Sequence, residues 1–323
     1  MNTICADIGN FSVLTAVVGN QPTSINKMRS LIVDVTHKGD VRDGLHASDS
    51  PLVGVKGKFF KLGHQAGKQP NCLSAAEAGK SNTEIFLPML LANTPDGFEG
   101  SVSMLVPSRD NASETWIRTA ILGAHEFSVN HQNRIASFTS VEFHRESDVA
   151  LKDAYLSGII HQTDGALLVD IGGGTVNALI ATLDNGDLDI LWRESFDNRG
   201  GIALAKNIID TDCVKSQKSM SVPQIMDALA DGKRYIGNRP DRSFEPVFDD
   251  CLRNWFKAIR VTVLSAADAY LDEVNYTIWM GGSVELLRPQ LESKEGQLIF
   301  PSPQLANINA LINLSSNIQT VAA

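Results

Sequence analysis

Short apolar runs separated by glycine-rich turns dominate the chain and predict strands, while a few stretches with three-and-four spacing predict helices. The clearest strand pair spans Ala166–Ala181: an apolar strand ends in Asp170, glycines 172–174 form a turn, and a second apolar strand follows. The longest helix is predicted over Glu245–Val274, with an apolar stripe along one face that includes Tyr270. We expect this stripe to pack in the core of a mixed α/β fold.

The same patterns predict the other elements, with glycine pairs and polar clusters marking the turns between them. The predicted strands are Met28–Val35, 58–63, Ser101–Val106, His125–Asn130 paired with Arg134–Phe143, Leu188–Glu194 and Tyr276–Met280. The predicted helices are a small one around Leu73–Gly79, Thr83–Leu91 and Ser113–Leu122 with their first residues as N-caps, Ser147–Gly158, one from Gly200–Gly201 to Ile209, Pro223–Asp231, and a short one that Pro289 stops. Residues 36–54 and 210–221 are predicted loops.

The turn after Asp170 has a counterpart near the N-terminus. An ungapped alignment of the two segments pairs Asp7 with Asp170, Ile8 with Ile171, Gly9 with Gly172, Ser12 with Thr175 and Val13 with Val176. The two copies lie one domain-length apart, so they predict two similar halves that face each other across a shared ligand.

Two interpretations of these turns are open. A glycine run between two strands is most often an ordinary hairpin turn. Without side chains, however, backbone N–H groups can approach an anion closely, as they do in phosphate-binding loops, and a carboxylate beside the phosphates can hold a hydrated divalent cation. The duplication favours phosphate binding, because one nucleoside triphosphate with its metal ion has enough phosphates to occupy both turns.

Two further positions are candidates for chemistry. Glu146 stands where a strand passes into a helix; it could stabilise the helix N-terminus, or it could orient the water that attacks a γ-phosphate. Gly281 and Gly282 lie between a predicted strand and helix, where a flat base or sugar could lie against the backbone. Ser283 would also serve as N-cap of that helix.

Composition narrows the functional class. A length of 323 residues predicts about two domains, and the net charge of −9 argues against direct binding of nucleic acid. No apolar run is long enough to span a bilayer, and no leader segment is expected before the first strand. Four scattered cysteines fit reduced thiols in a cytoplasmic protein better than disulfides or a zinc site.

In their order along the chain, these motifs resemble those of the actin-like ATPase superfamily. Asp7-x-Gly9, Glu146, Asp170 to Thr175 and Gly281 to Ser283 would be its phosphate-1, connecting-helix, phosphate-2 and adenosine motifs. The chain is most similar to bacterial and archaeal actin-like proteins of the ParM/StbA plasmid-segregation group. Three further segments resemble that group: Phe60–Ala66, Val141–Glu146 and Pro303–Asn307.

The resemblance implies an α/β, actin-like (ribonuclease H-like) fold, in which two related lobes enclose a nucleotide cleft. Domain I would comprise residues 1–160 plus 296–323, and domain II residues 161–295. ATP or GTP would bind with Mg²⁺, which Asp7 and Asp170 would hold through water, with Asp170 and Glu146 as catalytic residues. The nucleotide-binding residues would be Asp7, Gly9, Asn10, Phe11, Ser12, Gly172, Gly173, Gly174, Thr175, Gly281, Gly282 and Ser283.

The activity implied is an ATP hydrolase whose subunits polymerise head-to-tail with ATP and whose filament is destabilised by hydrolysis. Its expected work is plasmid segregation in the cytoplasm, through a DNA-binding adaptor protein, with no direct contact to nucleic acid or membrane. Two positions depart from the pattern, because Leu14 replaces a phosphate-contacting lysine and Asn177 an aspartate. The alternatives are a small-molecule kinase of the same fold and a membrane-associated scaffold of division or pilus assembly. The segment Ile308–Ala323 has no Lys or Arg for the basic amphipathic tail that such a scaffold would use.

Overall fold

A computed structural model describes residues 2–19, 23–37, 49–74, 83–106, 111–217, 220–292 and 294–321. The chain folds into two compact units, Met1–Asp153 with Asn307–Ala323 and Ala154–Ala306. None of the helices formed by the described residues has the length and apolar character needed to cross a bilayer.

The first unit is built on one large mixed sheet. Its strands are β1 (Asn2–Ile8), β2 (Ser12–Val18), β3 (Ile25–Arg29), β4 (Leu31–Asp34), β5 (Leu52–Val55), β6 (Lys58–Leu62), β7 (Leu73–Ser74), β8 (Phe98–Val106), β9 (Gly123–Val129) and β10 (Gln132–Arg145). They lie in the order β3-β2-β1-β8-β10-β9-β5-β6-β4-β7. The helices are α1 (Gly63–Ala66), α2 (Thr83–Leu91), α3 (Asn111–Ile121), α4 (Asp148–Leu156), which contains the boundary between the units, and the C-terminal α10 (Ala306–Val321).

The second unit has a five-stranded sheet and a small hairpin. Its strands are β11 (Ala166–Ile171), β12 (Thr175–Asp184), β13 (Asp187–Asp197), β14 (Tyr235–Ile236), β15 (Arg239–Ser243), β16 (Tyr276–Met280) and β17 (Gln297–Ile299). The five-stranded order is β13-β12-β11-β16-β17, and β14 pairs with β15. The helices are α5 (Gly201–Ile209), α6 (Asp212–Lys215), α7 (Val222–Ala230), α8 (Glu245–Ala266) and α9 (Arg288–Leu291), with 3₁₀ segments at Asp268–Glu273, Val284–Leu287 and Pro303–Leu305.

Both units contain the same five-strand arrangement. In the first, β3-β2-β1 pair antiparallel and β1-β8-β10 pair parallel. In the second, β13-β12-β11 pair antiparallel and β11-β16-β17 pair parallel. The similarity of the two halves, predicted from two short turns, is therefore confirmed at the level of strand order and direction.

Local signals explain most of the elements that were predicted correctly. The β12–β13 turn, for example, places Asn185 and Gly186 at φ values of 49° and 85°, the left-handed conformation that a tight hairpin turn requires. The strand β11 is buried along its whole length between β12 and β16, which accounts for its uninterrupted apolar sequence.

The predicted strand Met28–Val35 is wrong in one respect, because it breaks at Ser30. The Ser30 N–H donates to the carbonyl of Phe11 at 3.0 Å, which leaves β3 paired with β2 while β4 pairs with β6 and β7. Leu73 and Ser74 were predicted as helical and instead form β7, whereas 75–79 lie outside the described residues.

The long helix was also predicted to extend too far. It ends at Ala266, and Asp268–Glu273 tightens into a 3₁₀ segment in which the Tyr270 N–H donates to the carbonyl of Ala267 at 2.8 Å. Tyr270 is 38% exposed, so it does not belong to the core stripe; Phe248, Leu252, Trp255, Phe256, Ile259 and Val263 do.

Smaller corrections concern helix ends and loops. Ser113 lies in the first turn of α3 and Thr83 is the first residue of α2, so neither occupies the predicted cap position. Pro289 does not stop a helix but sits at the start of α9, where its missing N–H costs nothing. The predicted loop 36–54 ends in the strand β5, and the predicted loop 210–221 contains the short helix α6. Residues 38–48 of the first loop lie outside the described residues.

Candidate functional site

The first glycine turn joins β1 to β2. Asp7, half-buried, precedes it by one residue, and the Gly9 N–H donates to the carbonyl of Ser12 at 3.0 Å. This bond closes a two-residue turn with Asn10 and Phe11 at its tip. A Cβ on Gly9 would lie 3.2 Å from the Ser12 carbonyl oxygen, so the turn has little room for a side chain there.

Three neighbouring residues hold the tip of the first turn. The Ser74 hydroxyl donates to the carbonyl of Asn10 at 3.3 Å, and the Ser30 N–H donates to the carbonyl of Phe11. The guanidinium of Arg29 stacks on the Phe11 ring, 3.6 Å from its centroid. The tip is therefore tied to β3 and β7 as well as to its own hairpin.

Glu146 lies directly after β10, and its N–H donates to the carbonyl of Val106 at 2.9 Å, which continues the ladder with β8. Because β1, β8 and β10 are parallel, Asp7 and Glu146 share the carboxyl edge of the sheet, about 10 Å apart at the usual strand spacing. In open α/β sheets ligands bind outside this edge.

The turn that carries Glu146 is fixed by the C-terminal helix. Ser147 has φ of 70°, a left-handed conformation that is strained for serine, and its N–H donates to Oδ1 of Asn307 at 3.0 Å. Asn307, at the start of α10, is buried. Its contact with Ser147 was not foreseen in the sequence, because 160 residues separate the two positions.

The second glycine turn, between β11 and β12, repeats the geometry of the first. Asp170 precedes it and is buried, with 7% exposure. The Gly172 N–H donates to the carbonyl of Thr175 at 3.0 Å, and a Cβ on Gly172 would lie 3.3 Å from that oxygen. The two turns thus agree in strand pairing, in the closing hydrogen bond and in the position of the aspartate.

The N-terminus of α5 is docked on the second turn. The N–H groups of Gly200, Gly201 and Ile202 donate to the carbonyls of Gly174, Gly172 and Gly173 at 3.3, 3.0 and 2.8 Å. These bonds engage the carbonyl oxygens of the turn, which would otherwise repel an anion. A Cβ on Gly200 would lie 2.5 Å from the Gly172 oxygen, so only glycine permits this approach.

The third predicted motif, Gly281 to Ser283, packs against the second turn. The Ser283 N–H donates to the carbonyl of Ile171 at 3.3 Å and its hydroxyl to the carbonyl of Gly172 at 3.4 Å. Gly281 has φ of 95°, and a Cβ there would lie 2.6 Å from Oδ1 of Asp170. The structure therefore brings Asp170, the glycine turn and Gly281–Ser283 into one cluster in the second unit.

The donors beside the turns suit a hydrated magnesium ion. Mg²⁺ in nucleotide sites is usually held by one or two carboxylates together with phosphates and water. Each unit places one carboxylate, Asp7 or Asp170, next to its turn, and among the residues described here no three His, Cys, Asp or Glu side chains converge on one point. This donor set fits an ion bound through phosphates better than one held in an all-protein cage.

Sequence reasoning missed several residues that shape these turns. Gly200 was interpreted only as the start of a helix, although the Gly200-Gly201 pair is the visible signal for a close backbone approach. Arg29 and Ser74 gave no local signal at all, because their positions beside the first turn depend on strand pairing.

Comparisons with known proteins identify the fold. No protein-family model matches the chain, and no curated protein matches its sequence. Solved structures do match over nearly the whole chain. The archaeal actin homologue Ta0583 in complex with ADP has a TM-score of 0.76 at 15% identity and covers 98% of this chain and 100% of its own.

Two ParM structures are similar as well. The ParM of a 15-stranded filament from Clostridium botulinum has a TM-score of 0.75 at 13% identity, covering 98% of this chain and 99% of that one. Bacillus thuringiensis ParM with ATP has a TM-score of 0.66 at 12% identity, covering 99% of each chain. The chain therefore has the actin-like fold that its motifs predicted.

Proposed function

We propose that this chain is an actin-like protein that binds ATP with Mg²⁺, polymerises head-to-tail and hydrolyses the nucleotide. The observation that carries the proposal is the pair of turns: two sheets that share a five-strand arrangement each present an aspartate and a closed glycine turn of the same geometry. The solved structures of this fold that resemble the chain include one with ADP, one with ATP and one in a filament. We take domain I to comprise residues 1–160 plus 296–323 and domain II residues 161–295.

The phosphates are assigned to the two turns. Backbone N–H groups of Asn10 to Ser12 and of Gly173 to Thr175 would donate to the phosphate oxygens, while Gly9 and Gly172, whose own N–H groups close the turns, would let the phosphates approach the backbone. Asp7 and Asp170 would hold waters of the Mg²⁺ ion. A bound Mg²⁺ ion would offset the negative charge of the phosphates. Gly281 to Ser283 would carry the adenosine, because a Cβ on Gly282 would meet only the side chain of Gln304, which leaves space for a flat ring there.

Glu146 is assigned to the attacking water. Its carboxylate stands at the carboxyl edge of the first sheet, two strands from Asp7, and can accept a hydrogen bond from a water placed between that edge and the terminal phosphate. Asn307, which holds the N–H of Ser147, acts as a positioning residue for this carboxylate.

The biological role that we propose is plasmid segregation in the cytoplasm. Head-to-tail contacts between identical subunits do not close on themselves and so build filaments. The net charge of −9 disfavours direct contact with DNA, so a DNA-binding adaptor would link filament and plasmid.

One experiment tests the proposal. The purified chain is incubated with ATP, ADP or no nucleotide in the presence of Mg²⁺, then sedimented, imaged by negative stain and assayed for phosphate release. We expect a filamentous pellet with ATP together with phosphate release. Phosphorylation of a sugar panel without a pellet would refute the proposal in favour of a kinase.

A matched pair of variants tests the assignment of Glu146. Glu146→Gln should still pellet with ATP but release phosphate at least about 100-fold more slowly, the usual contribution of a general base. Glu142→Gln removes an exposed carboxylate from the same strand and should behave like the unmodified chain. Equal release by both variants would contradict the role of Glu146.

A further inference from the structure

Two cations lie beside the first turn, on the strand that pairs with its outgoing arm. Lys27 and Arg29 are two residues apart on β3, so both side chains point to the same face of the sheet. Lys27 pairs directly with Leu14, and Arg29 with Ser12. Leu14 in turn pairs with Asp7.

Directly paired residues on neighbouring strands share a face. Asp7, Leu14 and Lys27 therefore form one row across three strands. The next row on the same face consists of Gly9, Ser12 and Arg29, in which the Gly9 N–H makes the closing hydrogen bond of the turn with the Ser12 carbonyl. Both cations thus lie on the face of the sheet to which the Asp7 carboxylate belongs.

The second unit provides an internal comparison, because its strands pair in the same register. There Asp170 pairs with Asn177 and Asn177 with Ser195, while Thr175 pairs with Asp197. Lys27 and Arg29 correspond to Ser195 and Asp197. The two cations are therefore specific to the first turn. In the second unit the position that corresponds to Arg29 is occupied by an acidic residue, Asp197.

Arg29 is also held against the turn itself. Its guanidinium carbon lies over the Phe11 ring at the tip, 3.6 Å from the ring centroid, which fixes a positive charge beside the turn. Partial burial and the charge of Arg29 both lower the pKa of Lys27. Two positive charges held this close to each other favour an anion between or beside them.

We propose that Lys27 and Arg29 form the cationic part of the phosphate site at the first turn, with Arg29 contacting the terminal phosphates of a nucleoside triphosphate. This inference rests on the proposed nucleotide binding and deepens it. The positive charge for the phosphates would then come from β3. The strand next to Asp7, β2, cannot supply it in that row, because the residue paired with Asp7 is the buried, apolar Leu14.

The test compares how the full chain binds ATP and adenosine, measured by calorimetry with Mg²⁺ present. Arg29→Gln should weaken ATP binding at least 10-fold and leave adenosine binding unchanged within twofold, because adenosine has no phosphates. Lys27→Gln should act in the same direction with a smaller effect. Lys68→Gln removes an exposed cation from the same unit and should change neither affinity.

Arg29→Lys separates charge from structure. It keeps the positive charge but loses the planar stacking on Phe11, so it should retain most of the preference for ATP over adenosine that Arg29→Gln loses. An unchanged ATP-to-adenosine ratio in Arg29→Gln would overturn the assignment of the cation and leave the proposed function intact. Failure of the unmodified chain to bind ATP would overturn both.

Discussion

Substituting Gly200 by alanine tests whether the second turn depends on its contact with α5. Gly200 has φ of −69°, which suits alanine, so the backbone conformation is not at issue. The added Cβ would lie 2.5, 2.6 and 2.7 Å from backbone atoms of Gly172 and Gly173, where ordinary contacts begin at 3.4 Å. The helix or the turn must therefore move by nearly 1 Å, since no flexible side chain can yield.

The cost follows from two contributions. Overpacking of this kind typically costs about 1–3 kcal/mol. The movement also weakens three N–H···O bonds from Gly200, Gly201 and Ile202, each worth about 0.5–1.5 kcal/mol when fully formed. We expect Gly200→Ala to lower the free energy of unfolding of the second unit by about 2–4 kcal/mol, which corresponds to a fall in Tm of about 4–16 °C for a domain of this size.

Scanning calorimetry without nucleotide measures this effect. The control is Gly282→Ala, because a Cβ on Gly282 meets only the side chain of Gln304, at 3.5 Å or more. It adds the same methyl group to a neighbouring loop and should cost less than about 0.5 kcal/mol. If Gly200→Ala were no less stable than Gly282→Ala, the argument that the turn is held by close backbone contact would be refuted.

Two further predictions concern buried hydrogen bonds. The Tyr155 hydroxyl lies 2.8 and 2.9 Å from the carbonyl oxygens of Asp164 and Ala181 and can donate its single proton to either, so Tyr155→Phe should cost about 1–2 kcal/mol in urea unfolding at neutral pH. Burial and the charge of Asp164 raise the pKa of Tyr155 to about 12, above the value near 10 of an unfolded chain. The free energy of unfolding should therefore fall as the pH rises from about 10 to 12, and that of Tyr155→Phe should fall less steeply. Identical pH profiles of the two proteins would contradict this. Asn307→Ala removes the acceptor of the buried Ser147 N–H, so it should cost about 1–3 kcal/mol in urea unfolding and should slow phosphate release. The control Asn313→Ala loses only an exposed hydrogen bond to Asp153 and should do neither. Equal stability of the two variants would contradict the positioning role of Asn307.

Much of the fold could be predicted because its signals are local. Both glycine turns, the strands around them and Tyr276–Met280 follow from apolar runs that end in aspartate or glycine. The break at Ser30 and the pairing of Leu73–Ser74 with β4 could not be predicted in this way, because they depend on which distant strand lies alongside. The end of α8 was missed for a different reason, since Tyr270 keeps the helical spacing although it lies in a 3₁₀ segment and is 38% exposed.

The candidate site shows the same contrast between residues with a local sequence signal and residues whose position depends on distant strand pairing. Asp7, Asp170 and the glycines could be predicted as candidate site residues because their types and spacing repeat. That Gly281–Ser283 contacts the second turn depends on the parallel pairing of β11 with β16, which the order of the motifs only implied. The position of Arg29 depends on register: a slip of one residue between β2 and β3 would move Lys27 and Arg29 to the opposite face of the sheet.

The shared five-strand arrangement shows how one architecture can carry different chemistry at corresponding positions. Matching strand pairing and turn closure place these positions in equivalent rows, so a difference in side chain there is a difference in the chemistry beside the turn. The first unit has the cations Lys27 and Arg29 beside its turn and Glu146 at the same edge of its sheet. The second unit has Asp197 at the position that corresponds to Arg29, and its turn is packed against Gly281–Ser283. Arg29→Asp together with Asp197→Arg moves the cation to the corresponding row of the second unit, where Gly174 stands in place of Phe11 and offers no ring to hold the guanidinium. The double variant should therefore not restore the ATP binding that Arg29→Asp abolishes; restored binding in calorimetry would contradict the role of the contact with Phe11.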